Sequence, residues 1–327
     1  MRYSKDVVIR ARAILAQRKS DRESENASRL QHAYKMVPRL QQIDMQLSST
    51  MAIAAQAAFS QGMDAQIALE QARQENLALQ AERKALEESH FSAGYLDGNP
   101  VCSVCADTGY IGSSMCSCLK ELCLQEHKKD LGSIFSDAES FETFLLEYYS
   151  EAVIPQLKVS ARTIMQRNLE HCQRYARTFS PESGNLLLNG GTGLGKTHLA
   201  LAVGKAVGEQ GYNVCYETAI SLFSKLEKAK FTPTDKIRAE VEKIETCDLL
   251  IIDDLGTEMS GQFVTSALYG LLNERLQEKK PMIITTNLNV EDAGKRYSAQ
   301  IASRLYGEFK RLTFLGSDIR ILKNRGL

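Results

Sequence analysis

Eight residues, Gly190-Gly-Thr-Gly-Leu-Gly-Lys-Thr197, constrain the fold of this chain more than any others. They follow the spacing G-x-x-x-x-G-K-[ST] of a phosphate-cradling loop. Glycines let the backbone curl until successive N–H groups converge on phosphate oxygens. Lys196 then reaches the outer phosphates, and the Thr197 hydroxyl offers a ligand to Mg²⁺. The flanks agree. Asn185-Leu-Leu-Leu-Asn189 reads as a short buried strand, and Thr197 to Gln210 as a helix whose N-terminus faces the anion. The competing reading is a glycine-rich turn that matches by chance, and a strand before it and a helix after it argue against that.

Leu249-Leu-Ile-Ile-Asp-Asp254 reads as a buried strand ending in two carboxylates. Ligands of parallel sheets sit at the carboxyl ends of the strands. There Asp253 would hold Mg²⁺ through water, and Asp254 would orient or deprotonate an attacking water. Met282-Ile-Ile-Thr-Thr-Asn287 is another apolar strand with a polar tip. Asn287 either reaches the γ-phosphate or simply opens a turn, and the residues alone leave both open. By residue type alone, Arg304 and Arg320 read as surface arginines.

The strand-like runs 185–189, 212–217, 248–253, 281–286 and 311–315 alternate with helical patterns, the first of them over 147–179. This implies an α/β fold with a parallel sheet covered on both faces. Ahead of it, helical segments are expected over 5–19, 39–58 and 63–89, with Pro38 and Gly62 as breaks and a possible hairpin between the last two. At 327 residues the chain is long for one core. Composition divides it into a helical region 1–93, a cysteine-rich module and linker 94–135, and an α/β domain 136–327.

Basic and acidic residues balance at 40 each, so no overall field points to nucleic acid. The distribution is uneven: residues 1–39 hold ten Lys/Arg and four acids, and residues 295–325 hold eight and two. Lys225, Lys228, Lys230, Lys236 and Arg238 are candidate phosphate contacts, but Glu227, Asp235 and Glu240 among them make a solvated surface the default. No run of 18 apolar residues exists, so no membrane span or membrane partner is expected. The basic N-terminus lacks a signal-peptide core, so a cytoplasmic location is expected.

The eight cysteines are then thiols or metal ligands rather than disulfides. Cys102-Ser-Val-Cys105 and Cys116-Ser-Cys118 frame a turn-rich loop, a spacing that can wrap a tetrahedral Zn²⁺. The second pair is tight, so Cys123 and His127 compete with Cys118 as fourth ligand. A redox dithiol and buried free thiols are the rival readings. Cys215 and Cys247 lie in or beside apolar runs and read as core.

With these motifs together, the chain resembles the AAA+ ATPases, and within them the bacterial helicase-loader branch of DnaC/DnaI-like proteins, close to IstB-type transposition helpers. The resemblance rests on Asn185 to Leu199, Leu250-Ile-Ile-Asp-Asp-Leu-Gly256, Ile284-Thr-Thr-Asn287 and Ile301-Ala-Ser-Arg-Leu305, and covers about residues 140–327. It implies a P-loop core with a five-stranded parallel sheet and no C-terminal lid, since the chain stops soon after its last expected strand. It assigns Gly190, Gly191, Thr192, Gly193, Leu194, Gly195, Lys196, Thr197 and His198 to the nucleotide loop and its helix. Asp253 and Asp254 become the Walker B acids, Asn287 the first sensor, Arg304 an arginine finger acting in a neighbouring subunit, and Arg320 a second-sensor-like residue. Phe141-Glu-Thr-Phe144 matches the stretch leading into the adenine pocket. The expected cofactors are ATP, Mg²⁺ and Zn²⁺. The expected partners are a replicative DNA helicase, single-stranded DNA and further copies of the chain. Asp254 stands where most of the superfamily has Glu, which keeps an ATP-switched adaptor with little turnover as an alternative beside the IstB-like transposition helper.

Overall fold

The computed structural model describes residues 3–58, 63–132, 135 and 138–324. They form two compact units, one of Ile9–Leu122 and one of Met1–Val8 with Cys123–Leu327. The expected break at Gly62 lies outside the described residues.

The first unit is mostly helical. Helix α1 (Lys5–Met36) runs well past the expected 5–19, because no glycine or proline interrupts it before Pro38. Pro38 opens α2 (Pro38–Ala58), where its missing N–H costs nothing. Helix α3 (Met63–His90) returns along α2. Arg39 donates to Glu82 at 2.7 Å, Arg83 to Asp44 at 2.8 Å, and Asn76 to Thr50 at 3.3 Å. Positions 39 and 44 early in α2 meet 82 and 83 late in α3, while position 50 further along α2 meets 76 nearer the start of α3, so the pair is the antiparallel hairpin expected from sequence. Tyr34 donates to Asp44 at 2.7 Å, and burial together with that carboxylate pushes its phenol up to about 12. The hairpin β1 (Tyr110–Ile111) and β2 (Ser114–Met115) carries the cysteine cluster and leads into α4 (Ser117–Gly132).

The second unit is the α/β domain. The segment expected to be helical over 147–179 instead begins with a 3₁₀ turn at Leu146–Tyr148 and a hairpin of β3 (Val153–Ile154) and β4 (Val159–Ser160). Helix α5 (Ala161–Arg177) starts only at Ser160, whose side chain accepts from the Thr163 N–H as an N-cap. The order continues β5 (Asn185–Gly190), α6 (Lys196–Glu209), β6 (Val214–Thr218), α7 (Ala219–Phe231), α8 (Asp235–Thr246), β7 (Leu249–Leu255), α9 (Gln262–Gln277), β8 (Met282–Thr286), α10 (Val290–Arg296), α11 (Ala299–Gly307), β9 (Phe309–Phe314) and α12 (Ile319–Asn324).

The five longer strands form one parallel sheet in the order β6-β7-β8-β5-β9. Strand periodicity distributes the apolar runs to both faces. Leu186, Leu188, Ile251 and Ile283 join a core with α5 and α6, while Leu187, Leu250, Ile252 and Ile284 join one with α7, α9 and α11. Strand β5 sits inside the sheet, so its carboxyl end opens into a crevice beside β8. No described helix is long and apolar enough to cross a membrane.

One charged side chain ties down the amino end of this sheet. Arg275 on α9 is 1 % exposed and donates to the carbonyls of Ile244 at 3.1 Å, Cys247 at 3.2 Å and Pro281 at 3.0 Å. It satisfies the end of α8 and the entries to β7 and β8 together. Arg275→Leu removes the charged donor from all three carbonyls, although Pro281 keeps the Leu250 N–H and Ile244 the Cys247 thiol, and is expected to lower unfolding free energy by about 3 kcal/mol. Urea unfolding of the two proteins measures this, and an unchanged midpoint contradicts it.

Candidate functional site

The phosphate loop joins β5 to α6, as its spacing requires. Gly193 and Gly195 have φ of +72° and +83°. At Gly195 a Cβ would lie 2.8 Å from Phe144 and 2.9 Å from the Tyr149 hydroxyl, so neither backbone nor space admits a side chain. Tyr149 also donates to the Leu194 carbonyl at 3.0 Å, which fixes the loop from behind. Lys196 is 5 % exposed and bridges the loop, donating to the carbonyls of Gly190 at 2.9 Å and Gly191 at 2.7 Å. Burial lowers its pKa, against the pull of Asp254 and Asp253.

Across from the loop, Asp253 is 3 % exposed. Its carboxylate accepts from the hydroxyls of Thr197 at 3.0 and 3.1 Å, Tyr216 at 2.9 Å and Thr285 at 2.7 Å. The pairing of β7 with β8 slips between Ile252 and Leu255, and Asp254 adopts a φ of +54°. A regular strand would turn consecutive side chains to opposite faces. The extra residue of this bulge instead lets Asp254 line the same cleft whose edge Asp253 anchors. Burial and the neighbouring Asp253 charge raise the Asp254 pKa, with Lys196 and Arg320 opposing. A carboxyl held above its usual range is better suited to accepting a proton from water.

The cleft holds about 310 Å³ and is lined by Thr192–His198, Asp254, Asn287 and Arg320 among others. Asn287, at the tip of β8, and Arg320, on α12, thus lie on its wall. Gly190 and Gly191 contribute the carbonyls that hold Lys196. Arg304 does not line the cleft; it lies 5.0 Å over the Tyr269 ring and donates to that hydroxyl at 3.3 Å. His198 anchors the segment expected to approach the base. It bonds the Ser140 carbonyl at 2.8 Å and Thr143 at 3.3 Å, and packs edge-on to Phe144 at 5.4 Å. Phe144, Leu145 and Tyr148 form that end of the cleft.

The donor set suits Mg²⁺: the Thr197 hydroxyl can ligate the ion, and the buried Asp253 carboxylate, hydrogen-bonded to it at 3.0 Å, is placed to hold it through water. Thr285 and Tyr216 escaped the sequence reading. Thr285 lies two residues before the polar tip, Asn287, of a strand the sequence marks; Tyr216 had no signal beyond its place in a strand next to β7.

The cysteines gather as the first of the sequence alternatives. The Sγ atoms of Cys102, Cys105, Cys116 and Cys118 all lie within 4.8 Å of one another, with Cys102 and Cys116 at 3.7 Å and Cys105 and Cys118 at 3.5 Å. Thiolates around a tetrahedral Zn²⁺ with ~2.3 Å bonds are about 3.8 Å apart, so the set could hold that ion. Burial works against a thiolate at Cys105, but the Gly109 N–H at 3.3 Å and the other thiols bring it down to about 7. His127 is engaged with the Tyr212 carbonyl at 2.9 Å, and of the alternatives it is Cys118 whose Sγ gathers within 4.8 Å of the other three. Cys247 is buried, as expected of core, and Cys215 is partly exposed.

Comparison with known proteins agrees with this geometry. A sequence model of IstB-like ATP binding proteins matches residues 157–304. Within this stretch the nucleotide-binding unit is similar to IstB-like ATP binding proteins and to DnaC helicase loaders. An insertion-sequence IS21 ATP-binding protein of Pseudomonas aeruginosa is 29 % identical over 152 residues, 45 % of this chain and 56 % of that protein. An insertion-sequence ATP-binding protein of Sinorhizobium fredii is 36 % identical over 106 residues, 32 % and 35 % of the two chains. The replicative helicase loader DnaC of Buchnera aphidicola is 27 % identical over 123 residues, 37 % and 50 %. The chain spans about half the length of the curated relatives it matches. A crystal structure of the DnaC helicase loader superposes with a TM-score of 0.44 at 22 % identity, covering 54 % of this chain and 98 % of that one.

Thr285 offers a direct check of how the acid pair is held. Its hydroxyl donates to Asp253 and accepts from the Asp254 N–H at 2.8 Å. Thr285→Val keeps the shape and removes both bonds. Loss of such supporting contacts at metal sites costs about 10–100-fold, so Mg²⁺ affinity in the presence of ADP is expected to fall by that factor while ADP affinity measured without magnesium stays within threefold. Unchanged Mg²⁺ affinity contradicts the assignment.

Proposed function

We propose that the chain hydrolyses ATP and loads a replicative DNA helicase, using ATP-dependent self-association and single-stranded DNA binding. The observation that carries the enzymatic part is the Thr197–Asp253 pair beside Asp254. One hydroxyl and one buried carboxylate stand ready for Mg²⁺, and a second carboxylate lines the cleft where water would attack. Gly190 to Thr197 would wrap the phosphates through backbone N–H groups, and Lys196 would leave its loop carbonyls for the outer phosphates. Asn287 would orient the lytic water from the tip of β8, and Arg320 would meet the phosphates from α12. When bound, Mg²⁺ would neutralise charge developing on the phosphates.

The helicase client rests on the DnaC relatives and on a separate helical front end, residues 1–93, ahead of the ATPase domain of residues 136–327. The module of residues 94–135 would be stapled by Zn²⁺ on its four thiolates. Arg304 stands outside its own chain's cleft, half-exposed on α11, which suits a guanidinium that completes the cleft of a neighbouring copy. A second reading, a transposition helper, is favoured by the insertion-sequence proteins that align with the same domain.

Mixing experiments separate these roles. Arg304→Ala and Lys196→Ala chains are each expected to lose turnover, the first by about 10³–10⁵-fold if the guanidinium contacts the transition state. An equimolar mixture is expected to regain part of it, because intact loops meet intact arginines across mixed contacts. No recovery contradicts the intersubunit role. Capture by the full chain with ATP is expected to retain purified replicative helicase and not transposase; the reverse result selects the second reading.

A further inference from the structure

The cysteine cluster has a charged support that the ligand set alone does not explain. Asp107 follows Cys105 by two residues, sits at a φ of +58°, and has a side chain only 5 % exposed. Its carboxylate accepts from the N–H groups of Val101 at 3.1 Å and Cys102 at 2.8 Å. These two bonds close the loop that presents Cys102 and Cys105. The same carboxylate is ion-paired with Arg22, whose side chain is 19 % exposed and comes from the middle of α1. The Arg22 Nε is buried with no partner of its own, so Asp107 is the group that compensates this guanidinium.

Helix α1 meets the cluster's hairpin on one face. Arg12 lies 6.0 Å over the Tyr110 ring, and Leu15 packs so close to Gly109 that a Cβ there would come within 2.8 Å. Arg12, Leu15 and Arg22 are three and seven positions apart and so share a helix face. Gly109 in turn donates its N–H to the Cys105 sulfur, and its carbonyl accepts from the Cys116 N–H at 2.9 Å. Both halves of the thiol set are thus tied to residues that α1 touches.

We propose that Arg22 and Asp107 are positioning residues of the metal centre, forming a latch through which Zn²⁺ on the four cysteines and the docking of α1 stabilise each other. The inference rests on the zinc reading of the cluster. By linkage, whatever holds the Cys102–Cys105 loop in its liganding shape raises metal affinity, and the bound metal returns the same free energy to α1. The front end of the chain is then metal-dependent although none of its helices supplies a ligand.

The test uses the full chain and its Arg22→Gln, Arg22→Lys and Asp107→Asn variants. Zn²⁺ affinity is read by competition with a chromophoric chelator, and Co²⁺ absorption reports whether four thiolates still bind. Affinity is expected to fall about 10-fold in Arg22→Gln and about 10–100-fold in Asp107→Asn, with partial recovery in Arg22→Lys and an unchanged Co²⁺–thiolate spectrum. Amide exchange over residues 12–22 supplies the second readout. Arg22→Gln is expected to loosen this stretch in the zinc-bound chain and to leave the metal-free chain as it was. A purely structural ion pair would loosen both forms equally, and that result overturns the latch. Zinc bound by all four proteins within twofold also overturns the latch and spares the zinc reading. A wild-type chain that binds no zinc removes both.

Discussion

Asp253 is the point on which the nucleotide-binding unit converges. A buried carboxylate costs several kcal/mol unless its oxygens are bonded. Here the compensation comes from hydroxyls on α6, β6 and β8, through Thr197, Tyr216 and Thr285. The same contacts that make the charge tolerable also fix the helix after the phosphate loop against three neighbouring strands. A magnesium ion entering beside Thr197 would meet a ligand already stripped of water and already oriented. Binding and fold are therefore coupled at one side chain.

The site is strained on purpose at its edges. Gly195 is confined by Phe144 and Tyr149, and Asp254 takes a left-handed backbone within a bulge. The left-handed conformation of Asp254 costs about 1–3 kcal/mol and persists only where surroundings enforce it, whereas glycine adopts the loop's φ freely. The enforcing elements are ordinary: apolar strands buried on both faces, a tyrosine bonded to a loop carbonyl, and a threonine bonded to the Asp254 N–H. The relatives aligned with this domain include both insertion-sequence ATP-binding proteins and replicative helicase loaders.

Much of this was legible in the residues, and the reason differs by element. The five sheet strands announced themselves because each is a short apolar run closed by turn residues, and the loop motif fixed which strand end mattered. The hairpin before α5 was not legible: its strands are two residues long, too short for any period, and the surrounding residues suit a helix. The extent of α1 was underestimated because its polar stretch from Arg18 to Asn26 lacks an apolar stripe, although nothing in it breaks a helix. For the cysteines, spacing named the set but left the fourth member open among Cys118, Cys123 and His127, and only the three-dimensional gathering of the sulfurs separates them. Asp253 could be named from a strand-end rule, whereas its partners Tyr216 and Thr285 could not, since contacts across a sheet depend on register.

The proposed activity requires a Mg²⁺–nucleotide seat between the phosphate loop and the paired aspartates. Equilibrium titration of the intact chain with a fluorescent ATP analogue, with and without Mg²⁺, addresses it without reference to any client. Saturable binding that competes with ATP and tightens when Mg²⁺ is added is the predicted result. A folded chain that shows no affinity for the analogue, ATP or ADP in the presence of Mg²⁺ would contradict it.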